Sequence, residues 1–118
     1  MRNELIILLE KHCGTVRAEA AEIDICFDAF TPEPDEETLK RTIFLVHKIK
    51  GSSGALGFPD LSGAAHALEY ALRNLHLQEN RAGPLSDIHA LSDTLQNRVL
   101  EMTPETSSLH KSSVMAQM

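Results

Sequence analysis

His47 is followed by Lys50 at i+3, Gly51 at i+4 and Gly54 at i+7. On an α-helix, at about 100° per residue, that spacing puts all four on one side. A neutral imidazole is a competent nucleophile near pH 7, because its unperturbed pKa of about 6.5 leaves most of it unprotonated. An ammonium one turn on can compensate negative charge brought to the ring. Glycine costs about 1 kcal/mol against alanine in a helix interior, so two glycines beside the histidine point to a large body approaching that face. Ile43 and Phe44, a turn earlier, fall on the same side and offer it an apolar landing surface. Lys48 lies about 100° round the helix from His47 and is the weaker partner for the ring.

The element that positions these residues starts near Asp35 and runs to about Leu56. Its other side, Thr42, Leu45, Val46, Ile49, Ser53 and Leu56, is the mostly apolar stripe expected of a face turned to a core. Upstream, residues 3–12 predict a short helix that Gly14 interrupts, with Thr15 capping the next helix. Val16, Ala20, Ile23, Phe27 and Phe30 then repeat at helical spacing, and Thr31-Pro32-Glu33-Pro34-Asp35 breaks the chain. After Gly57-Phe58-Pro59-Asp60, with Asp60 as the expected N-cap, Leu61, Ala64, Ala65, Leu68, Leu72 and Leu75 trace a further helix ending near Asn80. Gly83-Pro84 separates it from the stripe of Leu85, Ile88, Leu91, Leu95, Val99 and Met102, which Pro104 stops. The expectation is an all-α, antiparallel up-and-down four-helix bundle over residues 1–104, with a short extra N-terminal helix packed on one end. The serine-rich residues 105–118 read as a frayed or disordered tail.

Composition narrows the function classes. With 118 residues, 42% apolar and 24% charged, the chain suits one ordinary globular domain. A net charge of −6 argues against nucleic acid or an anionic membrane as the main partner. Cys13 and Cys26 form no CxxC pair and imply neither a disulfide framework nor a zinc site. Leu5 to Leu9 is short for a signal-peptide core, and no stretch is long enough to span a bilayer. A reducing, cytoplasmic setting with both thiols free is the expectation.

Residues 46–58, V-H-K-I-K-G-S-S-G-A-L-G-F, followed by A-H-A-L-E at 65–69, resemble the signature of histidine-containing phosphotransfer (HPt) domains, the helical-bundle modules of two-component phosphorelays. His47, Lys50, Gly51, Ser52, Gly54, Leu56 and Gly57 carry the likeness, with no departure at a key position. It implies that His47 accepts a phosphoryl group from an aspartyl phosphate on a receiver domain, or from a sensor or hybrid histidine kinase, and relays it to a response regulator. Lys50 would then stabilise the phosphoryl oxygens, while Ile43, Phe44, Lys48, Gly51 and Gly54 would meet the receiver. The likeness implies a monomeric phosphocarrier without kinase activity or a cofactor of its own, the Mg²⁺ being the receiver's.

Other readings of the same residues are weaker. GSSGALG has its lysine in front and matches neither GxxxxGK[ST] nor GxGxxG. His66 and Glu69 at i, i+3 lack the inward carboxylates from several helices that a metal-binding bundle needs, and no metal site is expected. Glu69 is instead expected to pair with Arg73 at i+4. The rival class is a helical adaptor that binds receiver or kinase domains without being phosphorylated.

Overall fold

The computed structural model of the chain describes residues 3–31, 33–78 and 85–116. The expected helix end near Asn80, the Gly83-Pro84 break and Pro32 lie outside them. Helix α1 spans Glu4–Asp28, α2 Glu36–Ala55, α3 Pro59–His76 and α4 Leu85–Glu101, and a 3₁₀ turn at Pro104–Thr106 leads into α5, Ser108–Ala116. Among the described residues there is no strand, and no helix is long and apolar enough to cross a membrane.

Helix α1 opens where the Asn3 side chain accepts from the Leu5 N–H at 2.8 Å, then runs unbroken through Gly14. The expected short N-terminal helix is therefore the first part of α1. Gly14 is exposed and a Cβ there would meet nothing within 4 Å. Its propensity cost of about 1 kcal/mol is outweighed by packing on both sides of it, since Leu9, Cys13, Val16 and Ala20 are all buried. Helix α2 begins as the sequence predicts, with the Asp35 side chain accepting from the Thr38 N–H at 2.7 Å. Helix α3 starts two residues early, with Phe58 at the N-cap position, Pro59 in the first turn and no side-chain cap. Asp60 contributes to the first turn instead of capping it.

Cross-links between helices fix the topology. Glu22 meets Arg41 at 2.6 Å and Glu19 meets Lys48 at 2.7 Å, so α1 and α2 run antiparallel. His47 meets Glu69, and Ser62 donates to the Lys50 carbonyl at 2.9 Å, so α2 and α3 do too. Arg17 donates to the Met102 carbonyl and Gln96 to the Ala20 carbonyl, which sets α4 against α1 and closes the four-helix ring over a core of Leu, Ile, Val and Phe side chains.

The extra helix lies at the C-terminal end. Where an unpatterned tail is expected, Ser107 is fully buried. Its hydroxyl donates to the Leu56 carbonyl at 2.7 Å, and the Ser108 N–H donates to the Gly57 carbonyl at 2.7 Å. Gly57 adopts φ +87°, and a Cβ there would stand 2.6 Å from the Ser107 hydroxyl oxygen. Only glycine allows both the turn and the approach.

Candidate functional site

The His47 side chain is 57% exposed on the outer side of α2, and its Nδ1 lies 2.9 Å from Glu69 Oε2 on α3. Glu69 is 5% exposed and is the centre of a charged cluster. Lys50 Nζ stands 2.6 Å from Oε1, while Arg73 reaches Oε2 with Nη2 at 2.7 Å and Nε at 2.9 Å. Burial pushes the Glu69 carboxyl up, but hydrogen bonds from Lys50, Arg73 and His47 more than offset it and bring its pKa down to about 2. The carboxylate is ionised at neutral pH and can only accept hydrogen bonds.

This geometry acts on the imidazole in two ways. Facing an acceptor, Nδ1 is the protonated nitrogen, so in the neutral ring Nε2 holds the free lone pair. One carboxylate against two cations also leaves a local charge of about +1 beside a solvent-facing imidazole, in a chain whose net charge is −6. That arrangement favours an incoming anionic group.

The remaining sequence-predicted site residues are placed unequally. Gly51 is exposed, and a Cβ added to it meets nothing within 4 Å, so the clearance beside His47 is present. Phe44 is 51% exposed, with Arg41 and Lys48 each 5.5 Å from its ring centroid. Lys48 is half-exposed and pairs with the buried Glu19 of α1 at 2.7 Å. Ile43 is corrected: at 8% exposure it belongs to the core. It lies one turn before the exposed His47, so the apolar arc of α2 is wider than a single stripe. Gly54 is also exposed, and its missing side chain makes room for Ser62 of α3, whose Oγ would be 3.1 Å from a Cβ, so it serves the α2–α3 contact as well.

Glu69 and Arg73 complete the site, and the sequence reading foresees only their mutual pair. A signal was present in α3: Glu69 falls on the row Ala65–Glu69–Leu72, whose other members are buried. A carboxylate on a buried row has to be paired, and the lysine at i+3 of the histidine is a natural partner.

The Hpt domain family model matches residues 4–103 of the chain. No curated protein and no solved structure matches it significantly.

Proposed function

We propose that this chain, which belongs to the Hpt domain family, is a phosphorelay carrier whose acceptor atom is Nε2 of His47. Members of the family act in histidine phosphotransfer in two-component phosphorelays, with receiver domains and kinases, as carriers rather than catalysts. The observation that supports His47 is the bond from its Nδ1 to an ionised, buried Glu69, which leaves Nε2 as the lone-pair nitrogen of a side chain that is more than half exposed.

In the proposed step the Nε2 lone pair attacks phosphorus in the receiver's aspartyl phosphate. The N–P bond forms as the P–O bond to aspartate breaks, and the aspartate leaves as carboxylate. The proton stays on Nδ1, where Glu69 offsets the positive charge growing on the ring. Lys50 and Arg73 supply positive charge near the phosphoryl oxygens. Phe44, Lys48 and the clearance at Gly51 receive the donor domain. In this scheme the Mg²⁺ belongs to the receiver and the chain carries no cofactor. The carrier works in the cytoplasm as a monomer, and the step runs in reverse for delivery to a response regulator.

The test is transfer of label from a phosphorylated receiver. The wild-type chain should take up one acid-labile, alkali-stable phosphate, and His47→Gln should take up none while keeping its helix content. Binding without labelling would favour the adaptor, and full labelling of His47→Gln would move the acceptor elsewhere.

A further inference from the structure

The match to the Hpt family model ends at residue 103, and the chain beyond it returns to the turn between α2 and α3. That turn is short, Leu56 to Phe58, and its backbone polar groups are all held. The N–H groups of Leu56, Gly57 and Phe58 donate back to carbonyls of α2 at 3.0, 3.5 and 2.8 Å. The Phe58 carbonyl takes the Ser62 N–H of α3 at 3.0 Å. The carbonyls of Leu56 and Gly57, which a helix end leaves without an intrahelical donor, are taken by the segment after the match. They accept from the Ser107 hydroxyl and the Ser108 N–H, each at 2.7 Å. Ser107 Oγ also accepts from the Leu109 N–H at 3.1 Å, so this fully buried hydroxyl works in both directions. Helix α5 contributes no buried residue. The clamp is therefore polar, resting on Ser107, Ser108 and the 3₁₀ turn that packs against α1.

Gly57 is the softest torsion of the turn, because glycine reaches either sign of φ at little cost. Its φ of +87° is braced from outside by the clamp. Glu69 stands ten residues beyond Pro59, about 15 Å along α3. A tilt of about 3° at the turn would move it by about 0.8 Å, and the 2.9 Å contact with Nδ1 lengthened by that much is no longer a hydrogen bond. The Ser62 bond to the Lys50 carbonyl lies near the pivot, where it opposes sliding more than tilting. Resting on the reading of His47 as acceptor, we propose that Ser107 is a positioning residue for the transfer. By clamping the turn it fixes the tilt of α3 and so holds Glu69 against Nδ1. The bias of the lone pair to Nε2 then depends on a segment outside the part of the chain that the family model covers.

Two variants of the full chain release the clamp. Ser107→Ala removes the hydroxyl. Ser108→Pro removes the N–H that reaches Gly57, at a first helical position that suits proline and after a residue at φ −65°, ψ 135° that accepts one. Gln96→Ala, which deletes the bond from α4 to the Ala20 carbonyl, is the control for a general loss of stability. The readouts are the ¹⁵N shifts of the neutral His47 ring, which report its tautomer, and the rate of labelling by phosphoramidate, which phosphorylates histidine without docking. The wild-type ring should carry its proton on Nδ1. Ser107→Ala and Ser108→Pro should move the shifts toward a mixture of tautomers and slow labelling threefold or more, whereas Gln96→Ala should melt lower and keep both. Wild-type shifts and rate in folded Ser107→Ala or Ser108→Pro, even with a lower melting temperature, would reduce the clamp to a structural contact and overturn the proposal. An equal change in Gln96→Ala would overturn it too. Wild-type protein that phosphoramidate does not label at His47, with the ring shifts still answering to the clamp, would instead defeat the acceptor assignment on which the role in transfer rests.

Discussion

Replacing Glu69 with Gln keeps the side chain's shape and removes its charge, so stability and chemistry should both respond. In the folded chain the carboxyl is brought from 4.5 to about 2. At about 1.4 kcal/mol per pH unit, that difference corresponds to about 3 kcal/mol of preference for the ionised form. His47 and Arg73 are more than half exposed, which screens their share, so about 1–3 kcal/mol is the expected loss at pH 7. Because the folded pKa lies below the unfolded one, this contribution is fully present above pH 4.5 and disappears as pH falls from about 4.5 to about 2. Urea unfolding across that range should show a falling limb in the wild type that is shallower in Glu69→Gln. With a neutral amide opposite Nδ1, the ring is no longer held in one tautomer, and phosphoramidate labelling of His47 should slow by about ten- to hundredfold, the effect of losing about 1.4–2.8 kcal/mol at the transition state. A variant with wild-type stability and the same acid limb would refute the electrostatic account of the cluster. A variant labelled at the wild-type rate would refute the role given to Glu69 in holding the acceptor.

Lys50→Ala should slow transfer from a phosphorylated receiver by about ten- to hundredfold while binding of that receiver changes little; an unchanged rate would show that the Lys50 charge is committed to Glu69 alone. Gly51→Gln should melt no lower than the wild type, because the position is open, yet transfer far more slowly from every receiver, since misplacement of about 1 Å costs on the order of a hundredfold; normal transfer would remove this face from the docking surface. Gly57→Ala should destabilise the fold by about 1–3 kcal/mol through its positive φ and the approach of Ser107, and thermal unfolding at wild-type temperature would refute that packing.

Sequence pattern carried the bundle because each helix advertises its own buried face. Asp35 capped α2 where it should, and Thr42, Leu45, Val46, Ile49 and Ser53 are all buried. The reading failed where a local rule met a global constraint. Gly14 resembles a break only while the helix is considered alone, since buried residues on both sides of it hold α1 continuous. The residues after Pro104 have little pattern of their own, yet Ser107 is fully buried and donates to the Leu56 carbonyl. That contact depends on a conformation at Gly57 that no periodicity announces.

The site divides along the same line. A helical wheel describes one helix, so it placed His47, Lys50 and Gly51 on a common side but could not say which part of that side a neighbour covers. Ile43 fell on the covered part and Gly54 at its edge, exposed but with Ser62 against it, while Phe44, His47 and Gly51 remained outside it. What would make the exposed histidine a defined nucleophile in the proposed transfer is the register between α2 and α3, which sets Glu69, 22 residues on, within 2.9 Å of Nδ1. That register is fixed by the short turn through Gly57 and by Ser62 seated where Gly54 has no side chain. The glycines of α2 thus act in two ways. Gly51 keeps the approach to His47 open, and Gly54 lets α3 come close enough for its carboxylate to reach the ring. On this account a larger residue at Gly54 would act on the chemistry indirectly, by moving Glu69 away from Nδ1, whereas one at Gly51 would leave that bond intact and obstruct the donor.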